Sequence, residues 1–226
     1  MEELPTVGAY TLAQEPQCGE RARRLLDGAR PMNMAKTRRR LSQRLRGDAA
    51  LAHSERRKPN IRDFPTPNDL STEEQAVYRA AAAGYLALFG DTSAIVLDLP
   101  RRLTLDESGI ELAANPGLCV ETDEGSELRV LAINGTEPRI APSALHAAAM
   151  LAPSDALPIR VVAADLLSLE TTESRITGGE VEAAWNWATE RAAAWRAATD
   201  RPTFNHDGCR TCEFVWGCPT HPRVAR

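Results

Sequence analysis

Near the end of this 226-residue chain, the run His206-Asp207-Gly208-Cys209-Arg210-Thr211-Cys212-Glu213-Phe214-Val215-Trp216-Gly217-Cys218-Pro219-Thr220-His221 sets three cysteines within ten residues. Their spacing, C-x2-C-x5-C, constrains the fold more than any other feature, because packing alone gives thiols no reason to recur at such intervals. A C-x2-C pair lets two thiolates converge on one metal, and a third closes round it. A fourth ligand is required, and the candidates are Cys18, Cys119, His206 and His221. Cys119 alternates with Leu118 and Val120 and reads as a buried thiol in a strand. His221 would complete C-x2-C-x5-C-x2-H, a zinc knot built from local ligands alone. Cys18 would instead clasp the N-terminal region to the tail across about 190 residues.

Metal ligation rather than disulfide bonding is the expectation here, because the chain reads as cytoplasmic. Met1-Glu2-Glu3-Leu4-Pro5 has neither the basic start nor the apolar stretch of a secretory signal. No apolar run approaches the roughly 20 residues that a membrane-spanning helix needs, so no membrane partner is expected.

Charge is unevenly placed. Of 27 basic residues only Lys36 and Lys58 are lysines, and residues 21–62 carry 14 basic residues against Asp27, Asp48 and Glu55. That stretch has a charge of +11 in a chain of −4, which leaves −15 for the rest. A basic segment beside an acidic body points to an anionic partner, of which nucleic acid is the commonest. The candidate phosphate-binding side chains are Arg38, Arg39, Arg40, Arg44, Arg46, Arg56, Arg57 and Lys58. On a helix 36, 40 and 44 share one face, while 39 and 46 lie on another.

The periodicity predicts an α/β (α+β) domain. A first helix runs through Cys18–Leu26 and ends before Gly28 and Pro31. A second covers Met34 to Arg46, with Leu41 and Leu45 on one face. Residues 58–70 hold three prolines and read as an irregular connection. Ser71-Thr72-Glu73-Glu74 is a capping box opening a helix that carries Val77, Ala81, Tyr85 and Leu88 and stops at Gly90. Short apolar pieces at 95–97, 103–105, 110–112, 118–120 and 128–131, separated by turn residues at 106–109 and 122–125, predict a strand meander. An Ala-rich helix at 143–151, a buried strand at 159–164 and a last helix at 179–198 follow. That last helix has a stripe of Val181, Trp185, Ala188, Ala192 and Trp195, read as core.

One cysteine near the start of the domain, Cys18, and Gly208-Cys209-Arg210-Thr211-Cys212-Glu213-Phe214 followed by Cys218-Pro219 at its end form a pattern with a known counterpart. It resembles the iron–sulfur clasp of RecB-like nucleases of the PD-(D/E)XK superfamily, a group that includes the AddB exonuclease domain. The order of elements is similar over nearly the whole chain. The resemblance implies a restriction-endonuclease-like core, a short mixed sheet flanked by helices, with a helical insertion near the N-terminus. It implies one domain over 1–226, with a basic helical insertion at 20–90, the sheet core at 91–170, and the last helix and clasp at 178–226. It further implies that Cys18, Cys209, Cys212 and Cys218 ligate a [4Fe-4S] cluster of structural role. The alternative cofactor is Zn²⁺ on Cys209, Cys212, Cys218 and His221.

Members of that superfamily hydrolyse phosphodiesters with carboxylate-held metal ions and a nearby lysine. Their pattern is an acid after a G-x-(I/V) step, then a strand reading V-x-D-x-K. Laid on this chain, the first acid falls at Gly117 or Leu118, the second at Ala132 and the lysine at Asn134. The Gln and Tyr of the family's following helix are missing from Ser143–Ala148. Arg129 or Asn134 could substitute for the lysine in a divergent site, and Asp98, Glu111, Glu121, Asp123 and Glu127 are the carboxylates nearby. Asp123 and Glu124 read as turn residues, and Glu121 points away from Val120. The chain has no Gly-rich phosphate loop and no H-E-x-x-H, and the lone His53 reads as solvent-exposed. The expectation is therefore a catalytically inactive, iron–sulfur-containing DNA-binding or scaffolding protein. Its partners would be single-stranded DNA or duplex ends, or another protein of DNA processing. The alternatives are a divergent metal-dependent DNA exonuclease and a zinc-containing interaction or regulatory module.

Overall fold

The computed structural model describes residues 6–14, 16, 18–27, 36–54, 56–97, 102–105 and 109–200, with the backbone alone at 36, 37 and 39. In chain order the elements are β1 (Thr6–Gly8), α1 (Ala9–Ala13), α2 (Gly19–Leu26), α3 (Lys36–Ala52), α4 (Thr72–Phe89), β2 (Ala94–Val96), β3 (Arg102–Leu105), β4 (Ile110–Ala113), β5 (Leu118–Thr122), β6 (Gly125–Ala132), α5 (Pro142–Leu151), β7 (Ile159–Asp165), β8 (Thr171–Ile176) and α6 (Gly178–Ala198). The fold is mixed α/β. Among the described residues no helix is long and apolar enough to cross a membrane.

The chain divides into two compact units. One comprises Met1–Met34, Pro100–Asn115 and Glu182–Arg226, the other Ala35–Leu99 and Pro116–Val181. The expected meander is accordingly split between two sheets. β3 and β4 form an antiparallel hairpin in the first unit, joined by β1 in parallel, in the order β1-β4-β3. The second unit holds a five-stranded sheet in the order β2-β5-β6-β7-β8, with β6 and β7 parallel and the other pairs antiparallel.

In the five-stranded sheet, register puts Leu118, Val120, Arg129, Ile133, Val162 and Ala164 on one face. Leu41, Leu45, Ala49 and Ala52 of α3 and Tyr78, Ala81, Ala82, Tyr85 and Phe89 of α4 form one core with the apolar residues of that face. The capping box holds as read: Ser71 Oγ accepts from the Glu74 N–H, and the Glu74 carboxylate accepts from the Ser71 N–H at 2.9 Å. Gly84 is required, because a Cβ there would stand 1.9 Å from the Leu166 carbonyl oxygen. Only a residue without a side chain lets α4 press so close to the end of β7. The 58–70 connection contains a single 3-10 turn, Ile61–Asp63.

Two expectations are corrected. His53 is fully buried rather than exposed, because α3 runs on to Ala52 and carries it under the sheet. The buried stripe of α6 is Ala184, Ala188, Ala192, Trp195 and Ala198, so Trp195 is core while Trp185 is 37% exposed. Residue 185 lies about 100° round the helix from 184, enough to turn it outward.

Candidate functional site

The first unit brings the N-terminal region to the end of α6. The Trp195 indole, wholly buried, donates from Nε1 to the Leu12 carbonyl at 3.1 Å. Arg21 of α2 stacks over the Trp195 ring at 5.7 Å, with Nη2 donating to Gln14 Oε1 at 2.5 Å. Arg23 Nε reaches the Thr199 carbonyl at 3.3 Å. Cys18 is the N-cap of α2, half-buried, and its side chain makes no cap hydrogen bond. The thiol therefore sits three to five residues from side chains that grip α6 near its C-terminal end. Cys209, Cys212 and Cys218, and the alternative ligands His206 and His221, lie outside the described residues. In the sequence Cys209 is ten residues beyond Thr199. Cys119 is a buried thiol on β5, 2% exposed, and burial pushes it up to about 11. It sits in strand register opposite Leu128.

The second unit contains β6, the strand that the resemblance lays on the family's V-x-D-x-K. Ala132 and Asn134 stand two apart on the face of β6 opposite Arg129. They line a cavity of about 440 Å³ with Val130, Ala163 and the loop Thr136–Arg139. The positions that would carry the second acid and the lysine thus share one cavity, but present a methyl group and an amide. Its carboxylate and its cation come from the loop, as exposed Glu137 and Arg139. Neither position proposed for the first acid can help. A Cβ on Gly117 would stand 2.4 Å from the Arg129 carbonyl, and Leu118 belongs to the core on the opposite face. Arg129 cannot replace the lysine, because it is fully buried on that opposite face.

The nearby carboxylates are scattered. Asp98 lies outside the described residues. Glu111 is in the first unit, accepting from Thr6 Oγ1 at 2.7 Å and pairing with Arg102. Glu121 is exposed on β5, and Asp123 sits in the β5–β6 turn, 3.8 Å from Arg56. Glu127 is buried and pairs with the buried Arg129 at 2.6 Å and the partly exposed Arg160 at 3.1 Å. Among the described residues no three His, Cys, Asp or Glu side chains are grouped to hold a metal ion.

Sequence reasoning missed two polar centres. Asp165, fully buried at the end of β7, accepts from the backbone N–H groups of Asn134 (2.6 Å), Gly135 (3.0 Å), Leu167 and Ser168 (3.0 Å each). Burial alone would push its carboxyl up, but these donors outweigh that and hold it below the usual carboxylate range. An aspartate closing a strand before Leu-Leu-Ser-Leu was the available signal, since Asx side chains bond backbone two residues on. The other centre is Arg129. Its Nε donates to Glu127 Oε1 at 2.6 Å, and its Nη1 donates to Tyr85 Oη at 2.8 Å and to His53 Nε2 at 3.1 Å. The guanidinium also stands 4.3 Å over the Phe89 ring. Burial, and then the Arg129 charge, lower His53 from 6.5 to about 4, so the imidazole is neutral.

The basic segment is laid out along α3 and the turn after it. Arg38 is exposed and donates to the Asn134 carbonyl at 3.3 Å, and Ser42 donates to the Leu131 carbonyl at 2.8 Å. These two bonds fasten α3 to the C-terminal end of β6, from the face opposite the cavity. Arg40 and Arg44, on one face as expected, share Asp69 at 3.5 and 3.8 Å, both exposed. The Arg39 side chain lies outside the described residues, and Arg46 is half-buried. Arg56 faces Asp123, and Lys58 faces Asp91 at 3.6 Å. Arg57 differs: it grips Asp63 with two nitrogens at 2.6 and 2.7 Å, and that contact holds the Asp63 carboxyl below its usual range. Exposed single contacts are worth about 0–1 kcal/mol and exchange readily for phosphate, whereas the bidentate Arg57 pair is part of the fold.

No family model matches the chain, and no curated protein matches it.

Proposed function

We propose that this is a catalytically inactive, cytoplasmic member of the RecB-like PD-(D/E)XK nucleases that binds DNA or scaffolds its processing, with a [4Fe-4S] cluster stapling its chain ends. The observation that carries the reading is the cavity end of β6. There Ala132 and Asn134 take the positions that the resemblance gives to the family's acid and lysine, while Arg38 and Ser42 fasten the Arg-rich α3 to the same strand end from the face opposite the cavity. A strand end flanked by a basic helix and, among the described residues, without convergent carboxylates suits holding a nucleic-acid backbone better than activating water through metal ions.

The exposed cations Arg38, Arg40, Arg44, Arg56 and Lys58 meet phosphate oxygens, trading their weak surface pairs for charge-assisted bonds. Such contact reads charge and not base identity, so binding tolerates any sequence. Cys18, Cys209, Cys212 and Cys218 would hold the cluster, which supplies a four-thiolate crosslink and no chemistry at β6. The grip of Arg21 and Arg23 on the end of α6 supports that ligand set, because Cys18 is only three and five residues from them in the chain.

The test is DNA binding and DNA degradation by the anaerobically purified chain. Binding is expected without degradation in Mg²⁺ or Mn²⁺, with affinity falling as roughly the −0.7 to −0.9 power of salt per phosphate neutralised. Arg38→Glu, Arg40→Glu and Arg44→Glu together should abolish binding and leave the unfolding transition in place. Metal-dependent release of nucleotides would reinstate the divergent exonuclease. A colourless protein with one zinc would replace the cluster by the zinc module.

A further inference from the structure

β8 closes the five-stranded sheet on one side, and among the described residues no strand pairs with its outer edge. The opposite edge, β2, is blunted by its length of three residues. β8 instead runs for six, Thr171–Ile176, paired one-to-one with β7 throughout, with no bulge and no proline. The Asp165 N–H donates to the Glu170 carbonyl at 3.0 Å, so residue 170 faces β7. Alternation then turns the backbone groups of Thr172, Ser174 and Ile176 toward β7, and those of Thr171, Glu173 and Arg175 outward. The same three outward residues carry the exposed side chains of the strand. Arg160 steadies Glu173 from β7 with two nitrogens, Nη2 to Oε1 at 2.5 Å and Nε to Oε2 at 3.1 Å. A carboxylate held in this way keeps lone pairs for a further donor. Arg175, two residues on, enters no ion pair among the described residues.

An antiparallel strand can join this edge only in registers that set outward residues against outward residues. For a second copy of β8, pairing Glu173 with Glu173 or Arg175 with Arg175 opposes like charges, and pairing Thr171 with Thr171 or Glu173 brings no unlike charges together. Only the register that sets Glu173 against Arg175 opposes unlike charges, and two-fold symmetry makes that contact twice. Ser174 then lies on the axis, across from its own counterpart. We infer that this chain forms a symmetric dimer by antiparallel pairing of β8 with β8 of a second copy in that register, which joins two five-stranded sheets into one. A second copy is the occupant because the opposite charges flank Ser174 on a single strand, so the edge is its own complement. The inference does not rest on the nuclease resemblance.

Sedimentation velocity of the full chain over a concentration series tests it, with the wild type expected to shift from monomer to dimer as concentration rises. Residue 175 stands opposite Arg160 on β7, so a glutamate there gains a partner within its own chain and keeps the strand in place. Arg175→Glu nonetheless opposes like charges twice across the dimer axis, and should raise the dissociation constant roughly tenfold or more. Adding Glu173→Arg exchanges the two charges and should restore the dimer. Register has a readout of its own. In a non-hydrogen-bonded pair the Cα atoms stand about 4.5 Å apart, within disulfide reach, so Ser174→Cys should oxidise to a covalent dimer on a non-reducing gel while Thr172→Cys and the wild type do not. A chain that is monomeric at every concentration overturns the inference, as does a dimer that Arg175→Glu leaves unchanged. A dimer that the exchanged charges fail to restore, or that Ser174→Cys fails to trap, overturns it too.

Discussion

His53 is neutral because α3 delivers it under the sheet beside a guanidinium, and its folded-state value near 4 lies well below 6.5. Between those values the unfolded chain binds a proton that the native protein refuses. The contribution is therefore fully present above pH 6.5 and is lost as pH falls toward 4, by on the order of 3 kcal/mol. Urea unfolding at pH 7 and about pH 4.5 should show the loss, and His53→Gln, which keeps an acceptor for Arg129, should flatten it. Parallel curves for the two proteins would remove His53 as the cause. Arg129→Met should destabilise at every pH by about 3 kcal/mol, since it strips Glu127 and Tyr85 of a buried partner; a loss below about 1 kcal/mol in the same titration would contradict that. None of this was legible in Ala-His-Ser. The partners that define the histidine are 32 and 76 residues away, and local pattern carries no information about such encounters.

At the level of elements, whatever was written in adjacent residues could be read. The capping box before α4 and the Leu41–Leu45 face of α3 were visible because their partners are one helical turn apart. Ser71→Ala should cost about 1 kcal/mol, as a lost cap does, measured by the shift in denaturation midpoint; no shift would mean that the packed face of α4 alone sets its start. Other features were closed to sequence. β8, with Thr171, Glu173 and Arg175 exposed, has the polar alternation of an edge strand and no apolar signal. The pieces at 95–97 and 103–105 look alike locally, yet they pair in different sheets, because strand pairing is chosen by distant partners. The candidate site shows the same divide. That Ala132 and Asn134 are neither an acid nor a lysine could be seen in the letters. That Gly117 has no room for a side chain depended on the Arg129 backbone opposite.

For the whole molecule, the proposed four-cysteine cluster makes the sharpest demand. Cys18→Ser should remove most of the iron and lower the melting temperature of the entire chain, read by iron analysis and calorimetry on anaerobic protein; full iron content in that variant would dismiss Cys18 as a ligand. The cysteine pattern was plain in sequence, but the contact of the N-terminal region with α6 was not, since it depends on Trp195 and Leu12 meeting across 183 residues. The interleaving of the two units carries a consequence in time. The unit built from Ala35–Leu99 and Pro116–Val181 has all its residues once synthesis reaches position 181, whereas the other still awaits Glu182–Arg226. Chains grow at about 5–20 residues per second and units fold as they become complete. The sheet and its basic helix can therefore collapse first, while the N-terminal segment and the β3–β4 hairpin stay without their largest apolar partner, Trp195. A nascent chain stalled before residue 195 would hold a finished sheet and an open first unit, and that open unit is where a chaperone or a protease would find it.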